Sequence, residues 1–172
     1  ALRLLERYGR GFTPADAAES WLYALPALHT CTAERVAYQN LLCMVEPPRS
    51  GEYHNPYKEF IGGQIRADLY GYVNPGNPAA AAEMAWRDGI ISHSKNGVYG
   101  AMYVAALLSV APVAMPLRDK VAAALACVPP RSRLHERLAE VLRLHDAGYT
   151  FEDIAQTVHE AFDEADFFDW CH

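Results

Sequence analysis

The chain has 172 residues, with 15 basic and 21 acidic side chains, a formal charge of −6 and a pI near 5.6. Apolar residues make up 51% and charged residues 21%, which suits one globular domain with a real core and excludes a disordered chain, a collagen or a disulfide miniprotein. The acidic balance argues against nucleic acid as a partner, since that needs a basic face, and no run approaches the roughly 18 apolar residues of a membrane span.

Helical signals dominate from the first residues. Leu2, Leu4, Leu5 and Tyr8 keep helical spacing with no cap before them. Thr13-Pro14 sets an N-cap and a proline at the first helical position, with Asp16 placed to close a capping box, so a helix is expected over 14–24, stopped by Pro26. Thr32 is expected to cap a second helix, with Ala33, Val36, Ala37 and Leu41 on one face. Residues 44–58 are too rich in proline to be helical and form the longest loop, a length more often functional than idle.

The next segment, 60–72, reads as a helix entered through Gly62 and Gly63. Asn74-Pro75-Gly76 is a turn, and Asn77-Pro78 starts a helix running to about Ile90. A polar break, Ser92-His93-Ser94-Lys95-Asn96-Gly97, precedes an apolar, small-residue helix over 98–111, which is expected at the centre of the bundle. Helices follow at 117–127, 132–147 and 151–162, the last capped by Thr150 with Asp153 three residues on. No alternating strand pattern and no fixed repeat occurs. The expected fold is all-α, a compact orthogonal helical bundle in a single domain over 1–172.

Both ends carry apolar helical or aromatic residues where termini are usually polar, Leu2 to Tyr8 at one and Phe167, Phe168 and Trp170 at the other. Both read as cuts through a longer sequence. An exposed aromatic end would need a partner chain or further segments to cover it. Cys31, Cys43, Cys127 and Cys171 are widely spaced with no Cys-x-x-Cys pair, so reduced thiols and a cytoplasmic location are expected.

Chemistry has few places to sit. No serine lies in a Gly-x-Ser-x-Gly elbow. His135, His145 and His159 read as solvated or capping histidines. The acids between Glu152 and Asp169 form a solvated helix face, although paired carboxylates can also bind Mg²⁺. Gly62-Gly63-Gln64 at an expected helix start would offer backbone N–H groups to an anion such as phosphate; helix packing accounts for the same glycines. His93 and Asn96-Gly97 form a second such break. Two helix starts and a histidine could grip a diphosphate from both sides.

The run Asn55-Pro56-Tyr57-Lys58-Glu59-Phe60-Ile61-Gly62-Gly63-Gln64-Ile65-Arg66-Ala67-Asp68 is followed by Pro75-Gly76, an alanine-rich helix with Ala85 and Asp88, and Ile91-Ser92-His93-Ser94-Lys95-Asn96-Gly97-Val98-Tyr99-Gly100-Ala101. This order resembles the central segment of the ADP-ribosylglycohydrolase (ADP-ribosyl-acceptor hydrolase) family, with the match strongest over about 55–111. The resemblance implies an all-α orthogonal bundle that binds ADP-ribose and, with Mg²⁺, hydrolyses its bond to an acceptor. It implies that Gly62, Gly63 and Gln64 present N–H groups to the diphosphate or ribose, that His93 contacts ADP-ribose, and that Phe60 and Tyr99 stack on the adenine. Arg66 is expected to anchor the loop.

The sequence departs from the family in two ways. Ile61 and Gln64 replace small or polar residues of the usual glycine-asparagine-glycine loop. The family's metal ligands lie in an acidic threonine-containing motif and an Asp-x-Asp motif, and neither Asp-Asp-Thr nor Asp-Thr-Asp occurs here. The chain is therefore expected to be the middle part of a longer hydrolase domain whose Mg²⁺ ligands lie elsewhere. Two other readings stay open: a non-catalytic binder of ADP-ribose or another nucleotide, and a helical interaction module.

Overall fold

The computed structural model describes residues 1–162. The aromatic cluster Phe167, Phe168 and Trp170, the acids from Asp163 onward and Cys171 lie outside the described residues. Among the described residues ten α-helices follow in order: α1 (Leu2–Tyr8), α2 (Pro14–Ala24), α3 (Thr32–Leu42), α4 (Arg49–Glu52), α5 (Asp68–Tyr72), α6 (Pro78–Gly89), α7 (Asn96–Val110), α8 (Leu117–Leu125), α9 (Arg133–Asp146) and α10 (Phe151–Ala161). Three 3₁₀ segments join them, of which Ile61–Arg66 bears on the site, and no strand occurs among the described residues.

Helix starts follow the capping chemistry. Thr13 and Thr150 each close a capping box, with Asp16 and Asp153 returning the bond, and Asn77 and Ser132 accept from the third residue of α6 and α9. Each such cap stabilises a helix by about 1 kcal/mol. Thr32 does not cap. It is the first residue of α3 at φ 38°, Cys31 precedes it, and no side chain bonds the helix start.

Helix α7 lies at the centre, as its small apolar residues predict. It packs against α6, α5, α8 and the 3₁₀ segment, and Gly97, Gly100, Ala101, Ala105 and Ala106 are buried. The core joins Phe12, Tyr70, Met84, Ala85 and Ile91 to the inner face of α7. Phe12 meets Tyr70 with ring centroids 5.7 Å apart, and Arg87 of α6 donates to the carbonyls of Arg10 and Phe12 at 3.1 and 3.2 Å. The N-terminal segment is thereby laced to α6.

Residues 44–58 contain the single turn α4 and are pinned from both sides. Asn40 Nδ2 donates to the carbonyls of Ser50 and Tyr53 at 2.8 and 2.7 Å, and Ser50 Oγ donates to the Ile91 carbonyl at 2.8 Å. The buried Asn55 amide lies within bonding distance of the Ala33, Gly51 and Ser92 carbonyls. Polar side chains here supply what regular structure supplies elsewhere.

Contact between α5 and α7 depends on Gly71. A Cβ there would sit 2.6 Å from Leu108 Cβ and 2.7 Å from the Ala105 carbonyl. Gly71→Ala would ordinarily favour a helix by about 0.5–1 kcal/mol. Here it should destabilise the fold by about 1–3 kcal/mol, because α5 must move off α7. Urea unfolding of the two proteins decides the sign, and an unchanged or raised midpoint would contradict this packing.

Candidate functional site

The glycine segment does not start an α-helix. Residues 61–66 form a 3₁₀ segment, with Gly62 and Gly63 inside it, and α5 begins only at Asp68. The expected 60–72 helix is corrected accordingly: no α-helix dipole points out of Gly62-Gly63. The turn is tighter because both glycines are pressed against neighbours. A Cβ on Gly62 would fall 2.2 Å from Glu34 Oε1, and one on Gly63 would fall 2.9 Å from the Gly97 carbonyl and 3.4 Å from the His93 ring.

Arg66 ends this segment and holds its surroundings together. Its Nε donates to Asp88 Oδ2 and its Nη2 to the Asp88 carbonyl and Ser92 Oγ, all at 2.8 Å. Nη1 donates to Glu34 Oε1 at 3.4 Å, and the guanidinium lies 4.8 Å from the Trp21 ring centre. Arg66 is thus the anchor the sequence suggested. Glu34 is a member that sequence reading missed; its place in the first turn of α3 gave no sign that it faces Gly62.

His93 is 1% exposed. Ser92 Oγ lies 2.8 Å from His93 Nδ1. Arginine can only donate, so Ser92 Oγ accepts from Arg66 and turns its own proton toward Nδ1. The neutral imidazole then carries its proton on Nε2. That N–H has no hydrogen-bond partner and sits 3.9 Å from Glu34 Oε1. Burial, aided by the Arg66 charge, pulls the His93 pKa down to about 3.

Segments 58–64 and 93–100 meet directly. Ser94 N donates to the Lys58 carbonyl at 2.9 Å. A Cβ on Gly97 would lie 2.6 Å from that carbonyl, and one on Gly100 would lie 2.7 Å from Gln64 Oε1. Two cavities open along the seam. A small one of about 40 Å³ is lined by Phe60, Gln64, Gly97 and Gly100 among others. A larger one of about 590 Å³ is lined by Glu59, Lys95, Asn96, Tyr99, Arg131 and Arg133 among others. Tyr99 lines the large cavity and Phe60 and Gln64 the small one, whereas Gly62, Gly63 and His93 stand behind the seam. Phe60 is 8% exposed and meets the Tyr57 ring edge-on at 5.3 Å.

The carboxylates near this seam are committed to cations. Glu34 and Asp88 face Arg66, and Glu59 faces Arg133 and Lys95. No group of three or more His, Cys, Asp or Glu able to hold a metal occurs among the described residues. The described residues at this seam do not fit Mg²⁺.

The family model described as ADP-ribosylglycohydrolase matches residues 1–169. No curated protein and no solved structure matches the chain.

The His93 shift has a measurable consequence for stability. An unfolded histidine takes up a proton below about pH 6.5, while the folded one stays neutral down to about 3. The unfolded state therefore binds more protons in that window, and stability falls as pH falls. From pH 7.5 to 5 this group should remove about 2 kcal/mol. His93→Gln should lose that much less over the same range in chemical denaturation; equal losses in both proteins would refute a buried neutral His93.

Proposed function

The chain belongs to the ADP-ribosylglycohydrolase family, and from that premise we propose that it binds ADP-ribose along the seam between segments 58–64 and 93–100, as part of a hydrolase that releases ADP-ribose from an acceptor. The observation that carries this reading is the meeting of two segments some 30 residues apart in sequence beside a cavity of about 590 Å³ with Tyr99 in its wall. Small-molecule sites fall in the range of about 300–1,000 Å³.

In this reading Tyr99 offers its face to the adenine, while Phe60, buried against Tyr57, backs the small cavity. Gln64 faces the seam, and Gly62 and Gly63, packed against Glu34, His93 and Gly97 behind it, shape the segment that carries Gln64. His93 supports the glycine segment from beneath, with its Nε2–H directed toward the Glu34 carboxylate. Family membership suggests a metal-dependent hydrolase, but the described carboxylates at the seam are held by Arg66, Arg133 and Lys95 and do not fit the ion. The residues described here serve to bind and orient. No helix among them is long and apolar enough to cross a membrane, and the free thiols of Cys31, Cys43 and Cys127 support a reducing, cytoplasmic setting.

The pairing of Glu34, Asp88 and Glu59 with basic side chains favours a second reading, a binder of ADP-ribose without turnover. Calorimetric titration with ADP-ribose, followed by a hydrolysis assay with Mg²⁺ and an ADP-ribosylated substrate, separates the two. Tyr99→Ala should weaken ADP-ribose about tenfold, the scale of one aromatic stacking contact, with unchanged helical circular dichroism. No binding by the parent chain, or equal binding by the variant, would sink the reading.

A further inference from the structure

We propose that the large cavity is a site for phosphate-class anions, with Arg131 as its principal free cation. This rests on the ADP-ribose reading only for where the phosphoryl groups come from. In a chain of net charge −6, the cavity collects Lys95, Arg131 and Arg133 against a single acid among the described residues, Glu59. Glu59 is already engaged: its Oε2 lies 2.5 Å from Arg133 Nη2 and its Oε1 lies 3.8 Å from Lys95 Nζ. Arg131 is exposed and has no ion-pair partner among the described residues. Among the described residues one carboxylate thus answers three cations, and they leave the cavity a positive excess that a dianion would neutralise.

The backbone adds to that excess. Two long helices start at the cavity, α7 with Asn96 and α9 with Arg133, and Ser132 caps the second. The first turn of α7 carries no acidic residue and no side-chain cap, so its positive end is not neutralised from within. Asn96 fixes the two helix starts to one another. Its Oδ1 accepts from Leu134 N at 3.4 Å and its Nδ2 donates to Glu59 Oε2 at 3.2 Å. The arrangement is held in place before any ligand arrives, and it lies away from Gly62 and Gly63, which face Glu34, His93 and Gly97 instead.

The test is calorimetric titration of the full chain with inorganic pyrophosphate and, separately, with ADP-ribose, at low salt. Arg131→Gln removes an exposed, unpaired side chain, so circular dichroism should not change. It should raise the pyrophosphate Kd at least fivefold, and Arg131→Lys should restore it to within about twofold, since a point charge suffices for phosphate. No pyrophosphate binding, or a Kd indifferent to Arg131→Gln, overturns the proposal. If Arg131→Gln weakens ADP-ribose as well, the site takes the diphosphate of that ligand. If pyrophosphate binds through Arg131 and ADP-ribose does not bind, the anion site stands and the ADP-ribose reading falls. ADP-ribose binding that ignores Arg131, with no pyrophosphate binding, has the opposite meaning.

Discussion

The guanidinium of Arg66 is the point on which the site region depends. It is about one-fifth exposed and uses its nitrogens on Asp88, Ser92 and Glu34 while lying against Trp21. These partners come from α2, α3, α6 and the break before α7. The gain over a well-packed apolar group at such a place is small, because two charges leave water. The loss on removing one partner is large, about 3–5 kcal/mol for a buried pair, because the other charge is stranded. Such a node specifies an arrangement more than it adds stability. It fixes the rotamer of Ser92 and through it the tautomer of His93.

The close glycine contacts follow from that arrangement. Glu34 is held over Gly62 by Arg66, and the His93 ring is held under Gly63 by Ser92. The glycine segment is clamped between a carboxylate above and an imidazole below, and the resulting turn is too tight for an α-helix. The seam is lined by the side chains on either flank, Phe60 and Gln64, with Tyr99 across it.

Local chemistry made much of this legible. Thr13, Asn77, Ser132 and Thr150 announce their helices because capping is decided within four residues. The small-residue run at 98–111 announced a central helix, since only small residues let neighbours approach so closely on several sides. Thr32 misled because a threonine before an apolar pattern looks like a cap wherever the chain enters the helix one residue earlier. The 60–72 helix misled because its 3₁₀ geometry is imposed by Glu34, Gly97 and His93, all distant in sequence. Arg131 and Arg133 were passed over for a related reason: a Pro-Pro-Arg-Ser-Arg turn reads as a solvated linker until folding sets it beside Lys95.

The same node bears on how the domain comes apart. Trp21 and Ser92 are separated by most of the first half of the chain, so the contacts of Arg66 exist only when every intervening element is in place. Peeling away α3 alone would take the Glu34 carboxylate from Arg66 and uncover the glycine turn, while Asp88 and Ser92 stay bonded to the guanidinium. Opening is penalised most where Arg66 itself must leave, so the 3₁₀ turn and α6 should exchange their amide hydrogens together. Helices α9 and α10, which bury no residue fully, stand outside that unit. Away from the start of α9, which Glu59 and Asn96 tie to the seam, they form the part of the domain free to breathe while the Arg66 cluster stays closed.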